Sequence, residues 1–281
     1  MNDKNKKLLG LFILTLAAAL ISAGARAVMT ILCLDADYGG YTQGSILPTL
    51  THILTLIFCL LPGVIGLLAA REYPCPTTPP GTSATVFTSC ITAFLMAAST
   101  LLSLYNIVVA GAAADKFTIL KIAASIPAVI FFFSLIKTNI KPTPALAVMS
   151  LFPTVWCAVD RIEVYFDKSL LITSPAKIFH QLALLSIMLY FLCESRFILG
   201  RPIGKLFFTM SSIAPILVFT SSIPAMLFSG KLMIGDTDNF LTYAVELAAS
   251  LFILSRSFTF LKAPGTLPKP EKEEKEDDSK T

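Results

Sequence analysis

ALAVMSLFPTVWCAVDRIEVYF, residues 145–166, is the stretch on which the fold turns. Crossing the hydrocarbon core of a bilayer takes about 20 residues of helix. The uncharged part, 145–159, falls short of that, so a spanning helix has to carry Asp160, Arg161 and Glu163 with it. Charge in hydrocarbon is costly. Such residues face a bundle interior, a water-filled cavity or one another.

Similar apolar stretches recur on both sides of this segment. They run over Leu8–Leu34, Ile46–Ala70, Val86–Ala110 and Phe117–Ile136, then Lys177–Leu199, Leu206–Phe228 and Phe240–Leu261. With 145–166 they give about eight crossing helices, each near the length a bilayer requires. Composition agrees: 55% of the residues are apolar and only 14% charged, where a soluble domain carries about 25% charged residues. The expected fold is therefore all-α and polytopic, a membrane domain over residues 1–262. Residues 263–281 hold a run of lysines, glutamates and aspartates with little apolar surface to bury, and read as a disordered tail.

The first span opens like a signal peptide, with Lys4, Lys6 and Lys7 before an apolar run and Ala23-Gly24-Ala25 as a cleavage-like site. The apolar run continues past it to Leu34, so an uncleaved helix is expected. Orientation follows from Lys and Arg placement. With the N-terminus inside, Lys4, Lys6, Lys7, Arg71, Lys137, Lys141, Arg196, Arg201, Lys205, Lys262 and Lys269 fall on the cytoplasmic side, and few basic residues fall outside. An even span count returns the tail to the cytoplasm.

Several function classes are excluded or disfavoured. The net charge of +4 is not gathered into a basic, aromatic-interleaved patch, so nucleic acid is not an expected partner. Six cysteines are scattered without a C-x-x-C, against a disulfide framework or a zinc knuckle. Two histidines with no third ligand in sequence argue against a metal site, and no cofactor motif is present. G-x-S-x-G, H-E-x-x-H and P-loop signatures are missing. Glu194, Arg196, Glu72 and Arg71 lie at cytoplasmic span ends and read as exposed ion pairs.

The candidate site residues are the charges and histidines inside the spans: Arg26, His52, Lys121, Asp160, Arg161, Glu163, His180 and Glu246. All fall toward the outer ends. At 1.5 Å per residue, Glu246 is about 12 Å in from Asp238, Arg26 about as far from Leu34, and Lys121 about 9 Å from Asp115. Asp160 and Glu163 share a helix face at i, i+3, and Arg161 points elsewhere. Arg26 and Lys121 are the expected partners of Glu246. Ser211, Ser212 and Pro215, then Ser221, Ser222 and Pro224, are the marks of a kinked or broken helix.

Two stretches resemble each other: Asp115-Lys-Phe leading to Lys121-Ile-Ala-Ala-Ser125, and Asp238-Asn-Phe leading to Glu246-Leu-Ala-Ala-Ser250. Arg26 and Arg161, then His52 and His180, recur in the same order. This is the pattern of a 4+4 parallel internal repeat, 8–137 and 145–262, a common transporter plan. The expected function is a transporter or binding protein for a small polar or charged solute. The alternative is a membrane sensor or assembly subunit without transport, read by a protein partner at the cytoplasmic face.

Overall fold

The computed structural model describes residues 3–35, 40–41, 45–72, 81–109, 111, 115–136, 143–166, 174–199, 203–228 and 237–262. Cys75 and the tail 263–281 lie outside the described residues, as does most of each linker.

The helices are α1 (Asp3–Cys33), α2 (Leu47–Glu72), α3 (Ser83–Val108), α4 (Lys116–Ser134), α5 (Pro144–Met149), α6 (Phe152–Phe166), α7 (Pro175–Ile198), α8 (Gly204–Leu227) and α9 (Thr237–Lys262). Between α1 and α2 lies a short antiparallel bridge, β1 (Leu34–Asp35) with β2 (Gly40–Tyr41). With α5 and α6 taken as one span, eight helices among the described residues are long and apolar enough to cross a membrane. Large apolar side chains cover the outer surface of α2, including Leu50, Ile53, Leu56, Ile57, Leu60 and Leu61. Length, composition and this apolar exterior point to a multi-pass membrane protein.

Local sequence explains where the helices start and break. Thr82 and Thr143 cap α3 and α5, their hydroxyls accepting from the Thr85 and Leu146 N–H groups. Pro144 and Pro175 stand in the first turns of α5 and α7, where a missing N–H does no harm. The decisive stretch is itself broken between α5 and α6, at Ser150–Leu151. A proline ring collides with the carbonyl four residues before it. Pro153 would meet that of Met149, the last residue of α5. Beyond the interruption α6 carries Asp160, which is buried in the bundle.

Packing sorts the helices into two groups. α3, α4, α6, α7, α8 and α9 form a closed ring, each touching the next and α9 returning to α3. α1 and α2 lie outside that ring, paired with each other and laid against α8. The repeat would equate α1 and α2 with span five and α7, yet only the latter pair are ring members. Helices in lipid associate through close packing rather than hydrophobic burial. Gly66 makes such an approach: a Cβ there would sit 2.8 Å from the Phe208 carbonyl oxygen of α8. Gly63, one turn earlier, comes close to the end of the Ile213 side chain instead, at 2.9 Å for the same added Cβ.

Half of the ring interior is a layer of aromatic rings. Phe132 stands edge-on to Phe191 and Phe252, at 5.6 and 5.5 Å between centroids, and Phe131 is edge-on to Phe191 at 6.4 Å. All four are fully buried. At the far end of this layer Glu194 and Arg256 are buried together. The Arg256 Nε and Nη2 donate to Glu194 Oε1 at 2.9 and 2.7 Å, and the Tyr190 hydroxyl donates to Oε2 at 3.3 Å. The expectation of an exposed Glu194 is corrected here. Glu194 follows Ile187 and Tyr190 on the inward face of α7, one turn per step, while Arg196 points out. α8 runs unbroken through Pro215 and Pro224, so the broken-helix reading does not hold.

Candidate functional site

The other half of the ring interior is polar and open. A cavity of about 470 Å³ enters at the end where α4, α7 and α9 begin and α6 finishes. Ser99 and Ser103 line it from α3, Asp115, Thr118 and Lys121 from α4, Asp160 and Glu163 from α6, His180 from α7, and Thr242 and Tyr243 from α9.

A chain of ionisable groups runs inward along it. Glu163, at the mouth, is 3.4 Å from the Lys121 Nζ. Lys121 also donates to Asp160 Oδ1, and its ammonium lies 5.6 Å from the centre of the Trp156 ring. Thr242 Oγ1 is 3.5 Å away from the same nitrogen. Asp160 Oδ2 stands 3.8 Å from His180 Nε2, which in turn is 2.6 Å from Glu246 Oε1. Ser222 donates to Glu246 Oε2 at 2.8 Å. On the other side of the imidazole, the Tyr243 hydroxyl is 3.5 Å from Nδ1. Glu246 is wholly buried, against 38% exposure of the Glu163 side chain, so the chain passes from water to the closed interior.

The helix period assembles this set. Asp160 and Glu163 are one turn apart on α6, and both reach Lys121. Tyr243 and Glu246, one turn apart on α9, reach the two different ring nitrogens of His180. Five of the eight sequence candidates therefore meet: Lys121, Asp160, Glu163, His180 and Glu246. Glu246 is paired with His180 rather than with Arg26 or Lys121. The reason is that α1 is outside the ring and α4 contacts α6, which hands the lysine to Asp160.

Arg26 and His52 form a second group behind α7. The Arg26 guanidinium lies 3.9 Å from the centre of the Phe179 ring, and its Nη2 donates to the Pro175 carbonyl at 3.2 Å. His52 stands against the same phenylalanine, with Tyr41 beyond it, at 5.3 and 6.0 Å between centroids. Burial raises the pKa of the Tyr41 hydroxyl, with the nearby Arg26 charge opposing that shift. Arg161 is half-buried and does not line the cavity.

Three groups escaped the sequence reading. Ser222 and Tyr243 hold the site from α8 and α9, and Arg256 neutralises Glu194. The pattern Ser221-Ser222-Ile-Pro224 did mark α8 as polar, but nothing in it aims Ser222 at Glu246. No protein-family model, curated protein or solved structure matches this chain.

The electrostatic balance is uneven. Among the described residues, four carboxylates (Asp115, Asp160, Glu163 and Glu246) stand in or just behind the cavity against Lys121 and His180, so acidic groups outnumber basic ones. Electrostatic interactions are stronger in a partly desolvated cleft than in water. The arrangement favours a positively charged occupant.

Proposed function

We propose that this protein admits a small cationic solute from outside the cell into the cavity, binds it over Asp160, His180 and Glu246, and passes it across the plasma membrane. Both termini are cytoplasmic in this reading, which follows from the Lys and Arg bias. The observation that carries it is the open polar cavity with surplus negative charge at its floor. Serine and threonine hydroxyls on its walls replace part of a solute's hydration, and the carboxylates supply the charge.

Passage requires a second state in which the aromatic layer of Phe131, Phe132, Phe191 and Phe252 parts. The sealing of that layer is the observation that favours the other reading. A sensor or assembly subunit would bind the same solute and signal to a cytoplasmic partner without letting it through.

The test is a thermal-shift panel of small cationic, neutral and anionic solutes on the purified protein, followed by uptake into proteoliposomes. Cations should raise the melting temperature and anions should not. Glu246→Gln should remove the shift while the helical content stays. Stabilisation by anions alone would overturn the reading, as would a Glu246→Gln protein that responds like the wild type. Binding without uptake would assign the protein to the sensor class.

A further inference from the structure

At and just behind the cavity floor lies a ligand set rather than a simple ion pair: Asp160 and His180 line the cavity, and Glu246 is held behind them against His180. Asp160, His180 and Glu246 come from three helices, α6, α7 and α9, and are 2%, 7% and 0% exposed. Each offers a ligand atom within 4.8 Å of the other two. Within the set, His180 Nε2 is 2.6 Å from Glu246 Oε1 and 3.8 Å from Asp160 Oδ2.

Each of the three also has its other polar atom held from behind. Lys121 holds Asp160 Oδ1, Ser222 holds Glu246 Oε2, and the Tyr243 hydroxyl faces His180 Nδ1. Outer partners of this kind fix the ring tautomer and the carboxylate orientation at metal centres. They leave Asp160 Oδ2, His180 Nε2 and Glu246 Oε1 converging. Asp160 Oδ2 has no hydrogen-bond partner despite being buried, and an orphaned carboxylate oxygen at that depth calls for a cation.

We propose that these three side chains bind one divalent transition-metal ion of the zinc type, reached through the cavity. The inference rests on the cavity being the solute's way in, and it names the cation. An imidazole with two carboxylates suits zinc and its neighbours, whereas calcium takes six to eight oxygens and magnesium keeps most of its water. Ligation requires the neutral imidazole, and the divalent charge then offsets carboxylates that Lys121 alone does not balance.

The fit needs little movement. Ligand atoms about 2.1 Å from a tetrahedral centre lie roughly 3.4 Å apart. The 2.6 Å contact has to open and the 3.8 Å one to close, each by less than about 1 Å, and the Asp160–Glu246 separation, within 4.8 Å, closes by no more than about 1.4 Å. Asp160 and His180 both line the cavity, so a water or an anion entering from it can complete the set. Lys121 does not oppose entry, because Asp160 Oδ1 and Glu163 already hold it. The sequence alone shows two histidines and no third ligand spaced beside them. The fold supplies two carboxylates to one histidine and leaves His52 elsewhere.

The experiment uses the full-length protein in detergent, stripped with a chelator and titrated with zinc chloride. Calorimetry and elemental analysis should give one zinc per chain. Cobalt(II) in its place should show the intense visible bands of a tetrahedral site. Asp160→Asn and His180→Ala should each weaken zinc at least about 100-fold. Ser222→Ala keeps all three ligands and should weaken it about 10- to 100-fold, the usual effect of losing an outer partner. This variant guards against a ligand variant that fails to fold. A wild-type protein that retains no stoichiometric zinc overturns the proposal, and so do ligand variants that bind like the wild type.

Access is measured apart, by labelling Ser103→Cys with an impermeant thiol reagent in a background without the native cysteines. Labelling without zinc binding refutes the metal alone. Zinc binding without labelling refutes the cavity as the route from outside.

Discussion

Replacing Arg256 with methionine should be among the most damaging single changes in this protein. The substitution keeps most of the side-chain volume and removes the charge that faces Glu194, a carboxylate with no exposed surface. Two donor contacts, at 2.9 and 2.7 Å, vanish together, while the Tyr190 hydroxyl still donates to that carboxylate at 3.3 Å. Leaving one partner of a buried pair uncompensated costs about 3–5 kcal/mol. At roughly 2–4 °C per kcal/mol, the melting temperature should fall by about 10 °C. Glu194→Gln in the same chain removes the stranded charge, and the double variant should recover more than half of the loss. Thermal melts in detergent, followed by helical circular dichroism, complete the four-protein cycle. A single variant that melts within about 2 °C of the wild type would refute the reasoning. A double variant as unstable as the single would refute it too, because the loss would then come from packing.

Gly66→Ala should destabilise by about 1–3 kcal/mol, because its Cβ would be forced onto a backbone carbonyl of α8 that cannot swing aside. Gly24→Ala, with nothing within 4 Å, should be neutral or stabilising by up to about 1 kcal/mol in the same melts. Lys121→Met should lower the melting temperature of the ligand-free protein and should be rescued by zinc chloride, since an added cation takes up the charge the lysine leaves. At 100 times its dissociation constant, a ligand contributes about 2.7 kcal/mol. Failure of that rescue, with zinc still binding the wild type, would show that Lys121 is needed for the site and not merely for its charge balance.

Much of the architecture was legible because bilayer thickness is a length rule. Segment 145–166 could span only with its charges included, and the structure indeed carries Asp160 inside the helix bundle. The i, i+3 argument placed Asp160 and Glu163 on one face and turned Arg161 away from the cavity. Pairing was not legible, because neighbours in a helical bundle depend on which helices close the ring. Equal depth made Arg26 a reasonable partner for Glu246, yet α1 lies outside the ring and His180 takes that place. The α5–α6 break was carried by Pro153 and passed over within an apolar run. Arg256 was invisible for a simpler reason: near the end of a span an arginine reads as snorkelling to water.

The two buried charge groups separate structure from function by their balance. Glu194 and Arg256 carry opposite charges tied by two hydrogen bonds, with Tyr190 donating to the same carboxylate. Such a pair locks α7 to α9. At the other end, Lys121 and His180 face four carboxylates, a buried oxygen of Asp160 has no hydrogen-bond donor among the described residues, and a cavity leads to it. Leaving that imbalance unfilled would cost stability in a protein with no use for it, since a second lysine or an asparagine at 160 would relieve it. Matched charge far from water holds the bundle together; unmatched charge at the end of an open cavity is where a cation belongs.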